Sequence, residues 1–199
     1  FSNNCEAKTY VPDDNFEAYL ETHDASGNTV TLGDPTSMGD GIANNDSVLT
    51  MRISRVNRLH VNSKNISELT GIEDFASLTY LSCGSNQLTS IDVSRNILLD
   101  TVFCSNNQLT SLDISSNSLL QYLYCSYNQL TSININSNDS LKTVYCENNQ
   151  FTSLNFSQAI NLIHLRCADN QLSNLVLTNN NMLEQLYCQI NQITNLDIS

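Results

Sequence analysis

The chain contains 199 residues, of which 20 are acidic and 8 are basic, so its formal net charge is −12. A surface this acidic repels phosphate backbones, which argues against nucleic-acid binding. No apolar run approaches the roughly 18 residues that a membrane helix needs, so no membrane insertion is predicted. The 29 asparagines are many for one globular domain, and they predict numerous turns or a repeated asparagine position.

Residues 1–50 do not repeat, and we expect them to form an N-terminal cap. Within the cap, residues 12–20 predict a short helix whose first turn is capped by Asp13 or Asp14. The buried face of this helix would consist of Phe16, Tyr19 and Leu20. Residues 24–47 are rich in Gly, Asp, Asn, Ser and Thr and predict a loop. A strand-like apolar pattern then returns at Val48, Leu49, Met51 and Ile53.

The end of this loop, residues 39–46, resembles half of a calcium loop of the thrombospondin type. Calcium prefers several oxygen ligands around a tight loop that contains glycine. The candidate ligands are Asp34, Asp40, Asn44 and Asp46. The Asp-x-Asp that normally precedes such a loop is missing, so an Asp/Asn-rich turn without an ion is the favoured interpretation. No other cofactor is predicted.

Half of the basic residues lie close together after the loop, at Arg52, Arg55, Arg58 and Lys64. We expect them to offset acidic residues of the cap, and a specific acidic ligand is the alternative.

Six cysteines recur at a fixed step of 21 residues, at Cys83, Cys104, Cys125, Cys146, Cys167 and Cys188. An asparagine column keeps the same step, at Asn86, Asn107, Asn128, Asn149, Asn170 and Asn191. One unit reads Leu99-x-x-Val102-x-Cys104-x-x-Asn107-x-Leu109 and continues through Leu112, Ile114 and Asn117. About six consecutive units without an insertion indicate a structural repeat.

This unit resembles the leucine-rich repeat pattern LxxLxLxxNxL, with cysteine in the third apolar position. The resemblance implies an α/β solenoid that is mostly β, a horseshoe with a parallel sheet on its concave face and 21-residue repeats behind an N-terminal helical cap. We expect residues 51–199 to form about seven repeats, with extended or short 3₁₀ segments in the second half of each. The run from Ile66 to Phe75 resembles the 22-residue internalin type of repeat.

The cysteine column predicts buried free thiols that act as small apolar side chains. Cysteines in register have parallel side-chain directions, which disulfide geometry does not allow. No CxxC pair is present to hold a metal ion. The asparagine amides are expected to bond backbone groups of their own and neighbouring turns, forming an interior ladder.

The positions that alternate with the buried ones should face solvent on the sheet, and many of them are aromatic. The candidate ligand-binding residues are Tyr80, Phe103, Tyr122, Tyr124, Tyr127, Tyr145, His164, Arg166 and Tyr187. Exposed aromatic patches commonly mark contact surfaces. The alternative is that these side chains only stack across strands and stabilise the sheet.

A second outward column, on the opposite side, reads Thr89, Thr110, Thr131, Thr152, Ser173 and Thr194. Regular threonine rows can order water, so ice binding is a minor alternative to local hydrogen bonding of these hydroxyls. The three histidines have no recurring partners, and GxSxG, HExxH and P-loop motifs are absent from the sequence. We therefore predict that the chain is not an enzyme.

The segment from Thr9 to Glu17 and the recurring Cys-x-x-Asn-Gln-Leu-Thr resemble secreted leucine-rich repeat proteins of flavobacteria and other Bacteroidetes. This resemblance implies a secreted or cell-surface location with a leader already removed. We also expect a truncated array without a C-terminal cap, whose open edge could pair chains end to end.

These observations predict a recognition module that binds a protein on the concave face, in adhesion or another protein–protein interaction. Glycan binding through the tyrosines is the first alternative, and a structural spacer is the second. Internalins, which the chain also resembles, bind host proteins on the concave face, but a shared fold alone does not transfer a partner.

Overall fold

The computed structural model describes residues 6–194 and 196. The cap contains strand β1 (Lys8–Tyr10), helix α1 (Asp14–Glu21), strand β2 (Ser47–Leu49) and the short helix α2 (Thr50–Ile53). Strands β1 and β2 pair antiparallel. Asp13 caps α1, because its side chain accepts hydrogen bonds from the first-turn amides of Asn15 and Phe16.

The predicted cap helix is confirmed, including its buried face. Phe16, Tyr19 and Leu20 are all buried. The Phe16 ring lies 6.3 Å from the ring of Phe75, which belongs to the first repeat. The helix therefore covers the apolar end of the repeat array, as a solenoid requires.

The strand-like pattern predicted after the cap loop is only half right. Val48 and Leu49 lie in β2, but Met51 and Ile53 lie in α2, where Ile53 is buried and Met51 is half exposed. The amide of Ser54 donates to the carbonyl of Thr50 and closes this single helical turn. A short apolar run has too few residues to separate a strand period from a helical one.

One parallel sheet runs along the whole repeat array, and its seven strands lie side by side in chain order. They are β3 (Arg58–His60), β4 (Tyr80–Ser82), β5 (Thr101–Phe103), β6 (Tyr122–Tyr124), β7 (Thr143–Tyr145), β9 (His164–Arg166) and β11 (Gln185–Tyr187). The middle residue of each strand points into the core. The predicted parallel solenoid with 21-residue repeats is confirmed.

The opposite side of the solenoid contains fewer regular elements. A 3₁₀ turn spans Ile72–Asp74, and strands β8 (Ser153–Asn155) and β10 (Asn174–Val176) form a two-stranded parallel sheet. Elsewhere on this side the backbone is extended or turned. This agrees with the expected absence of full helices from 21-residue units.

The asparagine column forms the expected ladder inside the solenoid. The Nδ2 of Asn107 donates to the carbonyls of Cys104, in its own unit, and Cys83, in the preceding unit. Its Oδ1 accepts from the amide of Leu88 at 3.0 Å. The same three bonds recur at Asn128, Asn149, Asn170 and Asn191.

A second asparagine column lies on the opposite side of the core. Its members are Asn96, Asn117, Asn138 and Asn180, and Ala159 occupies the equivalent position between the last two. Each Nδ2 donates to two carbonyls, as Asn117 does to Val93 and Asn96. Each buried Oδ1 lacks a donor. Only one half of each amide therefore contributes hydrogen bonds.

The cysteine ladder also matches its prediction, since the six repeat cysteines are free thiols and all but Cys188 are buried. Burial raises the pKa of Cys104 and of Cys167 to about 12. Such thiols remain protonated and unreactive near neutral pH. The seventh cysteine, Cys5, lies outside the described residues.

Candidate functional site

The outward side chains of the seven-stranded sheet form two columns, because parallel pairing in register places equivalent residues side by side. Tyr80, Thr101, Tyr122, Thr143, His164 and Gln185 form the first column. His60, Ser82, Phe103, Tyr124, Tyr145, Arg166 and Tyr187 form the second. The 21-residue step predicts this arrangement correctly.

Most rings of these columns contact one another. Phe103 and Tyr124 stack in parallel with ring centroids 4.1 Å apart, and Tyr124 meets Tyr145 edge to face at 5.0 Å. Tyr80 belongs to the other column, but it reaches Phe103 at 5.5 Å because the small Ser82 leaves space. Such pairs stabilise a sheet by about 0.5–1.5 kcal/mol each.

Two arginines extend this row of aromatic rings. The guanidinium of Arg58 lies 3.8 Å from the Tyr80 ring centroid. The guanidinium of Arg166 lies between two tyrosines, 4.5 Å from the ring of Tyr145 and 4.8 Å from that of Tyr187. We call this continuous row the sheet ribbon. Its members are Arg58, Tyr80, Phe103, Tyr124, Tyr145, Arg166 and Tyr187.

The middle of the ribbon is partly buried by its own contacts, and its two end members, Arg58 and Tyr187, are exposed. Tyr80, Phe103, Tyr124, Tyr145 and Arg166 are half-buried, whereas Tyr187 is 42% exposed. Partial burial also raises the pKa of Tyr124, so its hydroxyl remains a neutral donor and acceptor. The stacking alternative is therefore part of the structure, and the half-buried rings still present part of their surface to solvent.

The remaining three predicted contact residues lie beside the ribbon. Tyr122 is half-buried on β6, and the Nδ1 of His164 lies 3.4 Å from the hydroxyl of Thr143. Tyr127 follows the sheet in a left-handed turn with φ +57° and is 55% exposed. All nine predicted residues thus lie on one side of the solenoid.

Among the described residues, the basic side chains near the cap form no ion pair with its carboxylates, although Arg52 helps to lower the pKa of Asp34. Arg58 lies over Tyr80, and Lys64 lies 5.4 Å from the ring of Tyr19. The Nη1 of Arg52 donates to the backbone carbonyls of the cap loop. Within residues 6–194 the ion pair that forms is between Lys8 and Asp40, at 2.6 Å. Aromatic faces and carbonyls compete well for arginine because both accept its charge without burying an anion.

The four predicted calcium ligands point to different partners. Asp34 accepts from its own loop at Thr36, and Asp40 accepts from Lys8 and Asn45. Asn44 and Asp46 both have a left-handed backbone, and the Asp46 carboxylate faces helix α1. The structure therefore brings Asp46 close to carboxylates that are not in the predicted set.

The threonine column is exposed at all of its positions, as predicted. Within the described chain, the expected local hydrogen bond occurs at Ser173, whose hydroxyl donates to the carbonyl of Thr152.

An apolar groove of about 600 Å³ was not predicted from the sequence. It follows the edge where the sheet strands begin, and Leu98 and Leu119 contribute its apolar wall beside Gln121 and Lys142. The 21-residue spacing of the two leucines, 42% and 50% exposed, is the signal that could have indicated it.

None of the helices in the described residues is long and apolar enough to cross a membrane.

No protein-family model and no curated protein sequence matches the chain. Solved structures do match. The functional domain of InlJ from Listeria monocytogenes, reported to include a cysteine ladder, is 25% identical with a TM-score of 0.53, over 96% of this chain and 50% of that domain. The internalin InlF of the same species is 18% identical with a TM-score of 0.73, over 94% and 59%.

A leucine-rich repeat domain of a Shigella effector is 26% identical with a TM-score of 0.62, over 73% of this chain and 63% of that domain. The chain thus spans about half to two thirds of the length of these structures. The shared architecture identifies the fold as a leucine-rich repeat solenoid of a kind that generally serves as a protein-interaction module.

Proposed function

We propose that this leucine-rich repeat solenoid is a non-catalytic recognition module that binds a protein partner through the outer face of its seven-stranded sheet, the face predicted to be concave. The sheet ribbon carries the proposal. It joins five aromatic rings and two guanidinium groups across all seven strands. Tyrosine and arginine are among the residue types most enriched in the energetic centres of protein interfaces.

The mutual stacking of the ribbon supports this function as well as stability. Rings that are already fixed by their neighbours lose little conformational freedom when a partner binds. The guanidinium of Arg166 is held between Tyr145 and Tyr187, so its position is fixed for pairing with a carboxylate or carbonyl of the partner. We expect the partner to present acidic or carbonyl groups opposite Arg166 and apolar groups opposite Phe103 and Tyr124.

We place the module outside the cell or on its surface. The resemblance to secreted Bacteroidetes repeat proteins and the similarity to internalins support this location. The free thiols are compatible with an oxidising environment, because five of the six are buried and protonated.

The test compares an exposed tyrosine of the sheet ribbon with an exposed tyrosine of the cap, which serves as the control. Tyr187 belongs to the sheet ribbon and is 42% exposed, whereas Tyr10 lies on cap strand β1 and is 61% exposed. Wild type, Tyr187→Ala, Arg166→Ala and the control Tyr10→Ala are immobilised and screened against purified extracellular proteins and a glycan array. Circular dichroism first establishes that each variant is folded.

We expect a protein ligand whose affinity falls by about 30-fold or more in Tyr187→Ala or Arg166→Ala and is unchanged in Tyr10→Ala. A ligand found only on the glycan array, with the same pattern of variants, would replace the protein partner by a polysaccharide. Equal binding by all four proteins would exclude the ribbon as the binding surface and would favour another face or a spacer.

A further inference from the structure

Helix α1 and the loop before β2 bring three carboxylates together on the surface of the cap. Asp14 and Glu17 are three residues apart on α1, which places them on one helical face. Asp46 comes from the loop. One carboxylate oxygen of each residue lies within 4.8 Å of an oxygen of the other two.

We propose that these carboxylates form a divalent cation site and that its natural ligand is calcium. The central observation is Glu17, whose side chain is completely buried. Its Oε1 accepts from the backbone amide of Asn45 at 3.0 Å, but its Oε2 has no hydrogen-bond partner. A buried carboxylate oxygen without a donor is costly, and a bound cation removes that cost.

Among the described residues, no basic side chain forms an ion pair with the cluster. Lys8, on cap strand β1, is paired with Asp40 at 2.6 Å. Asp14, Glu17 and Asp46 form no ion pair within residues 6–194. Three like charges at this separation repel one another, so a cation between them would stabilise the cap.

The backbone holds the loop in place around the cluster. The amide of Val11 donates to the carbonyl of Asp46 at 2.9 Å, and the amide of Asn45 is bound to Glu17. Asp46 itself has a left-handed conformation with φ +55°. The loop and the helix are therefore already in position before an ion binds.

The chemistry of the donors favours calcium. All three are carboxylates, without a nitrogen or sulfur ligand of the kind that zinc prefers. Asp14 and Asp46 are exposed, which leaves room for the water molecules that complete a coordination shell of 6–8 oxygens. A site with three protein ligands on a surface belongs in the weak extracellular range, with a Kd of about 0.1–1 mM.

This site differs from the one that the sequence predicts. It retains Asp46 and replaces Asp34, Asp40 and Asn44 by Asp14 and Glu17. It is also distinct from the proposed binding surface, because its three carboxylates lie on the cap and none belongs to the sheet ribbon.

Calcium titration of the chelator-treated protein tests the site, by isothermal calorimetry and by the melting temperature. The variants are Asp46→Asn and Asp14→Asn, both at exposed positions, and Glu17→Gln, which keeps the acceptor for Asn45. Asparagine tolerates the left-handed backbone at position 46, so that variant should fold. Asp34→Asn removes the same charge from the same loop outside the cluster and serves as the control.

We expect wild type and Asp34→Asn to bind one calcium ion and to melt at a higher temperature in its presence. Asp46→Asn and Asp14→Asn should bind at least about tenfold more weakly, and Glu17→Gln should lose binding. The proposal is overturned if wild type shows neither heat nor a rise in melting temperature up to about 10 mM calcium. An equal loss in Asp34→Asn would also overturn it, because the effect would then be general charge screening.

Discussion

Raising the pH from neutral to about 10 should destabilise the repeat array through its buried thiols. Burial raises the pKa of Cys104 and Cys167 to about 12 and the pKa values of Cys83, Cys125 and Cys146 well above the ordinary range. In the unfolded chain a thiol ionises near its ordinary pKa of 9.0. Between these two values the folded state keeps a proton that the unfolded state has lost.

The sign and size follow from this difference in bound protons. A raised folded-state pKa means that stability is complete below the unfolded pKa and falls as the pH rises above it. At about pH 10, one unit above the unfolded value, the unfolding free energy falls by about 1.4 kcal/mol for Cys104 and by the same amount for Cys167. The other three thiols act in the same direction. Domain stabilities are about 5–15 kcal/mol, so the combined loss is large.

The assay is urea unfolding of wild type and Cys104→Ala, with a reductant, at neutral pH and at about pH 10. Tyrosine and lysine ionise in both proteins, so the difference between them isolates a single thiol. At neutral pH, Cys104→Ala lowers the unfolding free energy because the substitution leaves a cavity. This difference in unfolding free energy between wild type and variant should be smaller by about 1.4 kcal/mol at the higher pH. A cost that does not change with pH would refute the reasoning, because Cys104 would then ionise as readily in the folded state as in the unfolded chain.

Two further predictions concern the hydrogen bonds that join the units. Asn107→Ala should destabilise the protein by about 2–4 kcal/mol and Asn117→Ala by about 1–2 kcal/mol. The cost is larger for Asn107 because its Oδ1 also accepts a hydrogen bond, whereas the Oδ1 of Asn117 does not. Equal losses of unfolding free energy in urea would contradict this prediction. Asp13→Ala should cost about 2–3 kcal/mol, since Asp13 caps α1 and accepts two bonds of 2.7 Å from Ser67. Burial opposes ionisation of Asp13, but hydrogen bonds from Ser67, Phe16 and Glu68 outweigh it and lower its pKa below the ordinary 3.8. The part of the cost that depends on the charge should therefore be lost as the pH falls below 3.8 and through the folded-state pKa, so the stability difference between wild type and Asp13→Ala should narrow at acid pH.

The repeat could be predicted from the sequence because its period is constant. A fixed step of 21 residues determines which side chains are neighbours across the sheet, so the columns of Tyr124 and Tyr145 needed no structure. The cysteine and asparagine ladders follow from the same step. The diagonal contact of Tyr80 with Phe103 could not be predicted from this step, because it depends on the small size of Ser82 between them.

The cap was harder to predict because it does not repeat. Asp46 meets Asp14 and Glu17 only through the path of the loop 22–46, and no periodicity encodes that path. Sequence proximity therefore grouped Asp46 with Asp40, which instead pairs with Lys8. The partners of Arg52 and Arg58 were missed for a related reason, since long flexible side chains select carbonyls or rings that only the folded cap brings near.

The asparagine ladder also limits how the length of such a protein can change. Each Nδ2 from Asn107 onward reaches the cysteine carbonyl 24 positions earlier, whereas Asn86 spans 25 positions to Val61 across the single 22-residue unit. Removing or inserting one whole unit leaves every other bond with an equivalent partner. Removing ten residues would orphan a buried amide and turn an apolar face outward. The length of this architecture can therefore change only in steps of whole repeats. Duplication or loss of complete units enlarges or reduces its recognition surface.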